Sequence, residues 1–393
     1  MTVLAVEIVF WVAAVLVVYP YVVYPVVLRW LAARSAPTAR PTVEDGELPR
    51  VTLVVSAYNE DAVIAEKLDN ALALDYPADR LEVMVVSDAS SDRTDAIVRD
   101  YAARDPRVKL LRQSERRGKS AGLNRAVAAS TADVVVFSDA NAMYEAGAIR
   151  TLVTHFARPE VGYVVGAALY RDSDESEAKQ SEGLYWRLEL WLKAHESRFV
   201  SVVGGDGAIY AVRRALFWDL RDDDISDFVN PLQVVAAGHR GVFEPDARCY
   251  EDSADGFGKE FRRKRRIVNR SWRAVKRYAG RLRLGRDAPF VFCLLSHKVI
   301  RWYAMAFVLL ALAANALLVA SGAGALYLLT LAVALATFGL AAAGWLLDRA
   351  GHAMPRPVYI PYYFYLVNLA GLLGIWDEFR GVRHATWEHV RQA

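Results

Sequence analysis

The chain has 393 residues, of which 54% are hydrophobic, so it is long enough for one sizeable soluble domain and several membrane spans. The formal net charge of only +3 gives no general reason to expect nucleic-acid binding, and we predict no nucleic-acid partner. Neither of the two cysteines, Cys249 and Cys293, belongs to a histidine pattern with zinc-ligand spacing, which argues against a zinc site and a disulfide framework.

The N-terminal region contains an apolar run over residues 3–31 whose only charged residues are Glu7 and Arg29. This run is long enough to cross a hydrocarbon core of about 30 Å. A cleaved signal peptide and a buried core helix are the alternatives, but a basic start and a small-residue cleavage site are missing. We therefore predict a transmembrane helix over residues 1–32, followed by a linker over 33–49.

The C-terminal region, 298–376, is predicted to be transmembrane. Apolar runs over 302–320 and 325–347 are separated by a short turn, which indicates a helical hairpin in lipid. The run over 358–375 is shorter and rich in tyrosine, which is typical of a tilted or headgroup-level segment. Residues 377–393 form a C-terminal tail.

Basic residues near the predicted spans indicate how the chain is oriented in a plasma membrane. Arg29, Arg34 and Arg40 lie at the end of the first span or shortly after it, and Lys298 and Arg301 precede the second, which places the central region in the cytosol. Four full spans would, however, place the late arginines outside the cell, against the same tendency; these are Arg380, Arg383 and Arg391. The sequence leaves that conflict open.

The central region, 50–254, alternates short β-branched runs with helical stretches, which predicts an α/β domain with a mostly parallel sheet. The predicted strands cover residues 51–58, 81–88, 108–112, 133–139 and 161–168. The first opens onto polar residues 56–60, the second ends at Asp88 and the fourth ends at Asp139. Carboxyl ends of strands are where open α/β sheets bind ligands, and no dinucleotide or P-loop motif follows the first strand.

Several short motifs in this region follow one another in a fixed order. They are SAYNE at 56–60, VVSDASSDRT at 85–94, GKSAGLN at 118–124, FSDAN at 137–141, GGDGAIYAVRR at 204–214 and SDFVNPL at 226–232, followed by RRKRRI at 262–267. Together they resemble family 2 glycosyltransferases, the group that includes cellulose, chitin and hyaluronan synthases. The resemblance covers nearly the whole chain. It implies a GT-A fold, a Mg²⁺ or Mn²⁺ ion, a UDP-linked or other nucleoside-diphosphate sugar, and inversion at the anomeric carbon.

The resemblance also assigns expected roles to individual residues. The donor is expected to contact Ser56, Tyr58, Glu60, Asp88, Lys119, Asp139, Arg263 and Arg266. Asp139 and Asn141 replace the family's two-aspartate metal motif and provide oxygen ligands for the cation. Asp227 matches the catalytic base, and Gly205 and Asp206 are expected to approach the acceptor, a saccharide or a lipid-linked molecule.

Each of these residues also has a purely structural alternative. Asp88 and Asp227 are good helix N-caps, and Asp139 with Asn141 or Asp206 can simply shape turns. Lys119 can be a solvated residue at a helix start.

A basic segment, predicted to form interfacial helices over 255–297, stands out in an otherwise acidic chain. Between positions 258 and 286 there are thirteen Lys or Arg residues and one acidic residue. Five arginines at helical spacing share one face; they are Arg263, Arg266, Arg270, Arg273 and Arg277. We expect the first two to bind the departing diphosphate and the later ones to meet anionic lipid headgroups. Ile267 stands where processive family members carry Trp, which puts a long polymer product in doubt.

Three functions therefore compete. The first is a membrane-bound glycosyltransferase that makes a cell-surface polysaccharide or glycolipid. The second is a dedicated processive synthase that also translocates its polymer, and the third is a catalytically silent membrane scaffold. The combination of Asp88, Asp139 and Asp227 with the arginines disfavours the scaffold.

Overall fold

A computed structural model describes residues 2–36, 40–170, 177–251 and 256–383. The predicted linker and C-terminal tail, including Arg391, therefore lie partly outside the described residues. The centre of the molecule is one eight-stranded sheet with strand order β3-β2-β1-β4-β7-β6-β8-β5. Its strands are β1 Val51–Ala57, β2 Leu81–Ser87, β3 Val108–Arg112, β4 Val134–Asp139, β5 Met143–Tyr144, β6 Val161–Tyr170, β7 Tyr210–Arg213 and β8 Arg240–Glu251.

All five predicted strands form, and four of them, β1 to β4, make up a continuous parallel half of the sheet. The other half is mixed, because β7 runs antiparallel to both β4 and β6, while β5 runs antiparallel to β8. Strands β5, β7 and β8 were not predicted. The first two are only two and four residues long, and β8 carries charged residues and a proline that weaken a strand pattern.

Helices cover both faces of the sheet and form the apolar regions at both ends of the chain. In chain order they are α1 Val3–Val18, α2 Tyr24–Ala33, α3 Ile64–Leu72, α4 Thr94–Arg104, α5 Lys119–Ala129, α6 Ala148–Val153, α7 Glu177–Phe199, α8 Ser226–Ala236, α9 Phe257–Tyr278, α10 Leu284–Leu294, α11 Ile300–Trp302, α12 Ala304–Ala320, α13 Ala325–Arg349 and α14 Arg356–Phe379. Two π-helical turns join some of them: Tyr19–Val23 links α1 to α2, and Leu295–Val299 links α10 to α11.

Strand alternation divides the core into two clusters. Val54 of β1 packs on one face with residues of α5, α8 and α9, whereas Leu53 and Val55 pack on the other face with α3 and α6. Alternate side chains of a strand point to opposite faces, so a sheet covered by helices on both sides needs this apolar pattern. The sheet is thus fixed from both sides, and its carboxyl edge is positioned rigidly.

The first apolar segment is helical over Val3–Ala33 and long enough to cross a membrane, as predicted. One face of its last ten residues, however, packs into the core of the central domain, where Tyr24 and Leu28 are fully buried. The Tyr24 hydroxyl donates a 2.7 Å hydrogen bond to Glu196 of α7. The Tyr19–Val23 π-turn lies between α1 and α2 and contains the predicted kink residue Pro20.

The C-terminal apolar region contains two further helices that are long and apolar enough to span a membrane, α13 and α14. Helix α12 qualifies only together with the preceding segment, Leu284–Trp302, from which it is bent by 59°. By length and composition, the described residues therefore offer three spans, or four if the bent pair counts as one.

Helix α14 lies beside the basic helix α9 along most of its length. Near its start, the Tyr359 ring centroid is 5.6 Å from that of Phe257 in α9. Near its end, the Gly374 carbonyl accepts a 3.1 Å hydrogen bond from Asn269, and Asp377 accepts a 2.6 Å bond from Arg265. Both ends of α14 thus contact the basic helix, and α14 is also long and apolar enough to span a membrane.

Candidate active site

Polar residues from three strands meet at the carboxyl edge of the sheet. Ser56 of β1 is in register with Asp139 of β4, and Ala57 pairs with Ser87, directly before Asp88. The parallel half of the sheet therefore brings the residues that follow these strands to a common edge.

Asp88 anchors the loop that precedes α5. Its carboxylate accepts hydrogen bonds from the backbone N–H groups of Arg117 and Gly118, at 2.8 and 3.0 Å, and from the Gln113 side chain at 2.7 Å. The helix-cap alternative is wrong, because α4 begins at Thr94 and Asp92 accepts the Thr94 N–H at 2.9 Å. Asp88 is buried, so its hydrogen bonds fix the position of the loop at the edge of the site.

The other predicted donor residues after β1 lie on the surface of this edge. The Arg116 guanidinium stacks 3.9 Å above the centre of the Tyr58 ring, and the Glu60 N–H donates a 2.8 Å hydrogen bond to Thr94. The buried Ser56 hydroxyl has no hydrogen-bond partner among the described residues. An aromatic–guanidinium platform beside an unsatisfied hydroxyl can hold a base and a ribose.

Asp139 and Lys119 form an ion pair in the middle of the site. Lys119 begins α5, and its ammonium lies 2.5 Å from Asp139 Oδ1. Although burial by itself lowers the pKa of Lys119, the Asp139 carboxylate raises it above the ordinary value. Lys119 is therefore a charged residue inside the site, and its interpretation as a solvated helix-start residue is wrong.

Asp227 projects from the first turn of α8, which begins at Ser226. It is not the N-cap, but a carboxylate in the first turn still interacts favourably with the helix dipole. Burial raises the pKa of Asp227 above its ordinary value, although the nearby Lys119 opposes this effect. Its Oδ1 atom is buried and has no hydrogen-bond partner among the described residues.

The GGDG turn brings these groups together. A Cβ atom on Gly207 would lie 3.4 Å from Asp139 Oδ2, 3.5 Å from Lys119 Nζ and 3.6 Å from Asp227 Oδ2. A Cβ on Gly205 would lie 2.8 Å from the Asp227 carbonyl oxygen, so this position requires glycine for close backbone approach. Asp139, Lys119 and Asp227 thus surround one small space.

Asp206 both closes the turn and faces the site. Its Oδ1 atom accepts the Ala208 N–H at 3.2 Å, while Oδ2 lies 3.4 Å from the Lys193 ammonium. The predicted acceptor residues Gly205 and Asp206 therefore lie directly beside Asp227.

Several charged residues near the site were not predicted, among them Glu251, Lys67 and Lys193. Glu251 ends β8, and burial together with the negative charges of Asp139 and Asp206 raises the pKa of its carboxyl to about 8. Lys67 of α3 is fully buried, donates to the Ala142 carbonyl after the DAN turn, and lies 4.0 Å from the centre of the Tyr144 ring. For Glu251, the sequence signal that could have indicated a site residue was its position as a polar residue at the end of β8. Lys67 lies in a helical sequence pattern that predicts a surface-exposed side chain.

A divalent cation fits this collection of residues. Asp139 and Asn141 share one tight turn and provide oxygen donors, and the carboxylates of Asp139 and Asp206 place negative charge there that raises the pKa of Glu251. Within the described part of the chain, no three His, Cys, Asp or Glu side chains are close enough to hold an ion by themselves. Phosphate oxygens would therefore complete the coordination, as is usual for Mg²⁺ in nucleotide sites.

The basic helix α9 has two different faces. Arg263 lines the cavity beside Asp227 and binds Glu260 at 2.7 Å, whereas Arg266 lies beside Arg270 on the neighbouring face. The expectation that the later arginines meet lipid is wrong. Arg273 lies 2.9 Å from Asp223, and Arg277 binds Asp224, so these arginines hold the loop before α8.

A cavity of about 230 Å³ connects the site to the apolar helices. Gly205, Asp206 and Asp227 line one end, and Tyr21 and Asn368 line the other.

Comparisons with known proteins agree with this geometry. Residues 52–221 match the family model described as Glycosyl transferase family 2. The chain is similar, at 32% identity over 47% of its length and 40% of the relative, to a β-monoglucosyldiacylglycerol synthase of Synechocystis sp.. It is also similar, at 26% identity over 54% of its length and 52% of the relative, to a poly-β-1,6-N-acetyl-D-glucosamine synthase of Staphylococcus aureus.

Among solved structures, the fold resembles a mannosyltransferase from Pyrobaculum calidifontis in complex with GDP-Man and Mn²⁺. The TM-score is 0.71 at 24% identity, with 94% of this chain and 99% of that chain covered. The central domain therefore has the GT-A fold of glycosyltransferases. Residues 52–221 therefore form a family 2 glycosyltransferase domain. The chain spans only 40% and 52% of the two sequence relatives named above.

Proposed function

We propose that this protein is a membrane-bound inverting glycosyltransferase. It transfers a sugar from a nucleoside-diphosphate sugar to a hydroxyl of a saccharide or lipid-linked acceptor in the synthesis of a cell-surface polysaccharide or glycolipid. The supporting observation is the convergence of Asp139, Lys119 and Asp227 on the space beside Gly207. Such a space can receive a diphosphate on one side and a hydroxyl on the other.

In this proposal Asp227 is the general base. Its raised pKa makes it a stronger base than an ordinary aspartate, and its buried Oδ1 atom has no partner among the described residues to compete for the acceptor proton. The acceptor oxygen forms a bond to the anomeric carbon while the bond from that carbon to the diphosphate oxygen breaks. The hydroxyl proton passes to Asp227, and the diphosphate leaves with the bonding electron pair. A single displacement inverts the anomeric carbon.

The donor residues act at the opposite side. Tyr58 and Asp88 lie at the edge that would hold the nucleoside, and Lys119 and Arg263 supply positive charge to the leaving diphosphate. Asp139 and Asn141 would hold Mg²⁺ or Mn²⁺, which would neutralise phosphate charge. Ser56, Glu60 and Arg266 complete the proposed donor set.

Membrane attachment is part of the proposal. The apolar segments Val3–Ala33 and Ala325–Arg349 are suited to span a plasma membrane, with the catalytic domain on the cytosolic side, where nucleotide-sugars are made. A polymer-translocating synthase is less well supported, because the cavity of about 230 Å³ is smaller than the roughly 300–1,000 Å³ of typical ligand pockets.

The proposal is tested by incubating the detergent-solubilised protein with Mn²⁺ and a panel of UDP- and GDP-linked sugars and measuring the released nucleotide. One donor should release nucleotide well above the rate of a Lys119→Met variant, which lacks the cation at the diphosphate. Equal background release with every donor in both proteins would rule out the glycosyltransferase.

A further inference from the structure

Two π-helical turns face each other at the membrane end of the catalytic cavity. The Tyr19 hydroxyl in the first turn lies 2.9 Å from the Ser296 hydroxyl in the second. Each turn also contributes a residue to the cavity wall, Tyr21 from the first and Lys298 from the second. Single π-helical turns are rare and occur frequently at functional sites.

The opposite wall of this end comes from α14. Val367, Asn368 and Gly371 line the cavity, and Asn368 Oδ1 accepts a 3.2 Å hydrogen bond from the Tyr21 hydroxyl. The contact between Tyr21 and Asn368 therefore closes the gap between the first apolar segment and α14.

The outer surface beside this contact is apolar. Val22 and Leu369, the chain neighbours of Tyr21 and Asn368, are 54% and 41% exposed. Both belong to helices that are long and apolar enough to span a membrane, which suits this surface to contact with lipid. A molecule that entered between Tyr21 and Asn368 would leave lipid and reach Asp227 without crossing water.

We propose that the acceptor is a membrane lipid whose hydroxyl-bearing head enters the cavity from the bilayer between the Tyr19–Val23 π-turn and α14. This inference rests on the proposed glycosyltransferase function and narrows its acceptor to lipids. The cavity size fits a compact head, such as glycerol or a single sugar, and the acyl or prenyl tail stays against Val22 and Leu369.

A matched pair of glycine substitutions tests this route. Gly371 lines the cavity where α14 packs against Trp302, and in Gly371→Leu the added Cβ would lie 3.4 Å from the Trp302 carbonyl oxygen, so the larger side chain crowds this wall. In the control, Gly339→Leu in α13, no atom lies within 4 Å of the added Cβ, so the side chain only adds apolar surface. Both full-length variants are prepared in native membrane vesicles and supplied with the radiolabelled donor found in the panel assay.

The wild type and Gly339→Leu should transfer label into material extractable with chloroform and methanol. Gly371→Leu should transfer at least about tenfold less, as expected when about 1.4 kcal/mol of binding or positioning is lost. Equal labelling of lipid in both variants, or labelling of only water-soluble saccharide in the wild type, would overturn the inference. If the wild type releases no nucleotide from any donor, the proposed function itself fails, which is a different result.

A second measurement does not depend on filling the cavity. Cysteines placed at Tyr21 and Asn368 are joined by a short bismaleimide, with a Thr337 and Tyr365 pair, which contacts at 2.9 Å away from the cavity, as the control. The native Cys249 and Cys293 are buried and are not expected to react. Cross-linking of the first pair should stop lipid labelling and cross-linking of the second should not. Sparing of lipid labelling by both cross-links would contradict lateral entry.

Vesicles of defined composition identify the head group. Phosphatidylcholine vesicles containing either dioleoylglycerol or a polyprenyl phosphate distinguish a neutral head from a phosphate head, and soluble cello- and chito-oligosaccharides provide the competing class. Labelling of either lipid supports the inference, and labelling of only the oligosaccharides overturns it.

Discussion

At the scale of single residues, the site combines carboxylates with cations; the cavity wall carries Glu189, Asp206, Asp227 and Glu251 together with Lys193, Arg263, Lys264, Lys298 and Arg301. Burial and the negative charges of Asp139 and Asp206 disfavour the ionised form of Glu251, so its pKa rises to about 8. Lys119 stabilises Asp139 and limits the rise in the pKa of Asp227. The free site is therefore electrostatically prepared for a cation and a donor.

The raised pKa of Glu251 predicts a pH dependence of stability. An unfolded Glu ionises near 4.5 and the folded Glu251 near 8, so between these values the folded state binds more protons and stability falls as pH rises. Glu251→Gln removes this loss. Thermal unfolding should therefore give similar Tm values for both proteins at pH 5 and a Tm higher by a few degrees for Glu251→Gln at pH 9. A gap that is constant across this range would show that Glu251 has an ordinary pKa.

Asp139 is expected to determine cation and donor affinity. Asp139→Ala should weaken binding of Mn²⁺ with a nucleoside diphosphate by at least about tenfold, because it removes one of two protein oxygen ligands and leaves Lys119 without its carboxylate. Calorimetric titration measures this change. The control is Asp75→Ala, an exposed aspartate paired with Arg150.

Excess chelator should also stop turnover of the wild type, and full turnover in chelator would contradict a metal requirement.

The sequence identified most of these residues but not their electrostatic environment. Asp88 and Asp139 end predicted strands and are visible in the local pattern, whereas the role of Asp227 was inferred from the family resemblance. Lys67 and Glu251 depend on burial against Ala142, Tyr144 or Asp206, contacts that no local spacing encodes.

At the scale of elements, the basic helix α9 connects the catalytic loop to α14. Arg273 contacts Asp223 before α8 and Glu378 at the end of α14, and the three side chains are only 10–12% exposed. Arg265 and Asn269 make further contacts to α14. The position of Asp227 therefore depends on a network that reaches the last helix.

Loss of Arg273 should destabilise this network. Arg273→Met removes the cation that Asp223 and Glu378 share, but Arg277 still lies 3.4 Å from Asp223 and Lys276 lies 2.9 Å from Glu378. The cost should therefore be smaller than the roughly 3–5 kcal/mol that is typical when a buried charge is left unpaired. Thermal unfolding in detergent should show a clear decrease in Tm, while Arg262→Met, at an exposed position of the same helix, should change little. Equal Tm values for the two variants would mean that the network does not support α8.

Element prediction succeeded where periodicity was local. The five predicted strands are apolar β-branched runs, and all of them form. The role of the arginine stripe could not be predicted, because its partners Asp223, Asp224 and Glu378 lie 47–105 residues away in sequence. A stripe that is typical of a lipid-facing helix instead binds acidic groups within the protein.

At the scale of the whole molecule, the arrangement of α14 bears on the conflict over membrane orientation. We infer that α12 and α13 form an outward and returning pair, while α14, both ends of which contact α9, stays on the side of the catalytic domain. Arg380 and Arg383 would then lie on that side, in agreement with the positive-inside tendency. By length and apolar composition alone, α14 also qualifies as a span, so this arrangement is a prediction to be tested.

This orientation predicts the accessibility of single added cysteines. Arg380→Cys, at the end of α14, should react with a membrane-impermeant maleimide from the same side of sealed vesicles as Asp75→Cys in the catalytic domain. Ser321→Cys, between α12 and α13, should react only from the opposite side. Reaction of Arg380→Cys from the Ser321 side would establish α14 as a full span.

The central claim, that Asp227 is the base of a sugar transfer at this site, is tested most directly by Asp227→Asn. The measurement combines a calorimetric titration of the donor with a radiolabel transfer assay on the same purified variant. Asparagine preserves size but cannot accept the hydroxyl proton, and general-base catalysis is typically worth about 10²–10⁴-fold. We predict transfer reduced by about that factor, with donor affinity close to that of the wild type. Transfer within a few-fold of the wild type would contradict the account and make Asp206 or Asp224 the next candidate base.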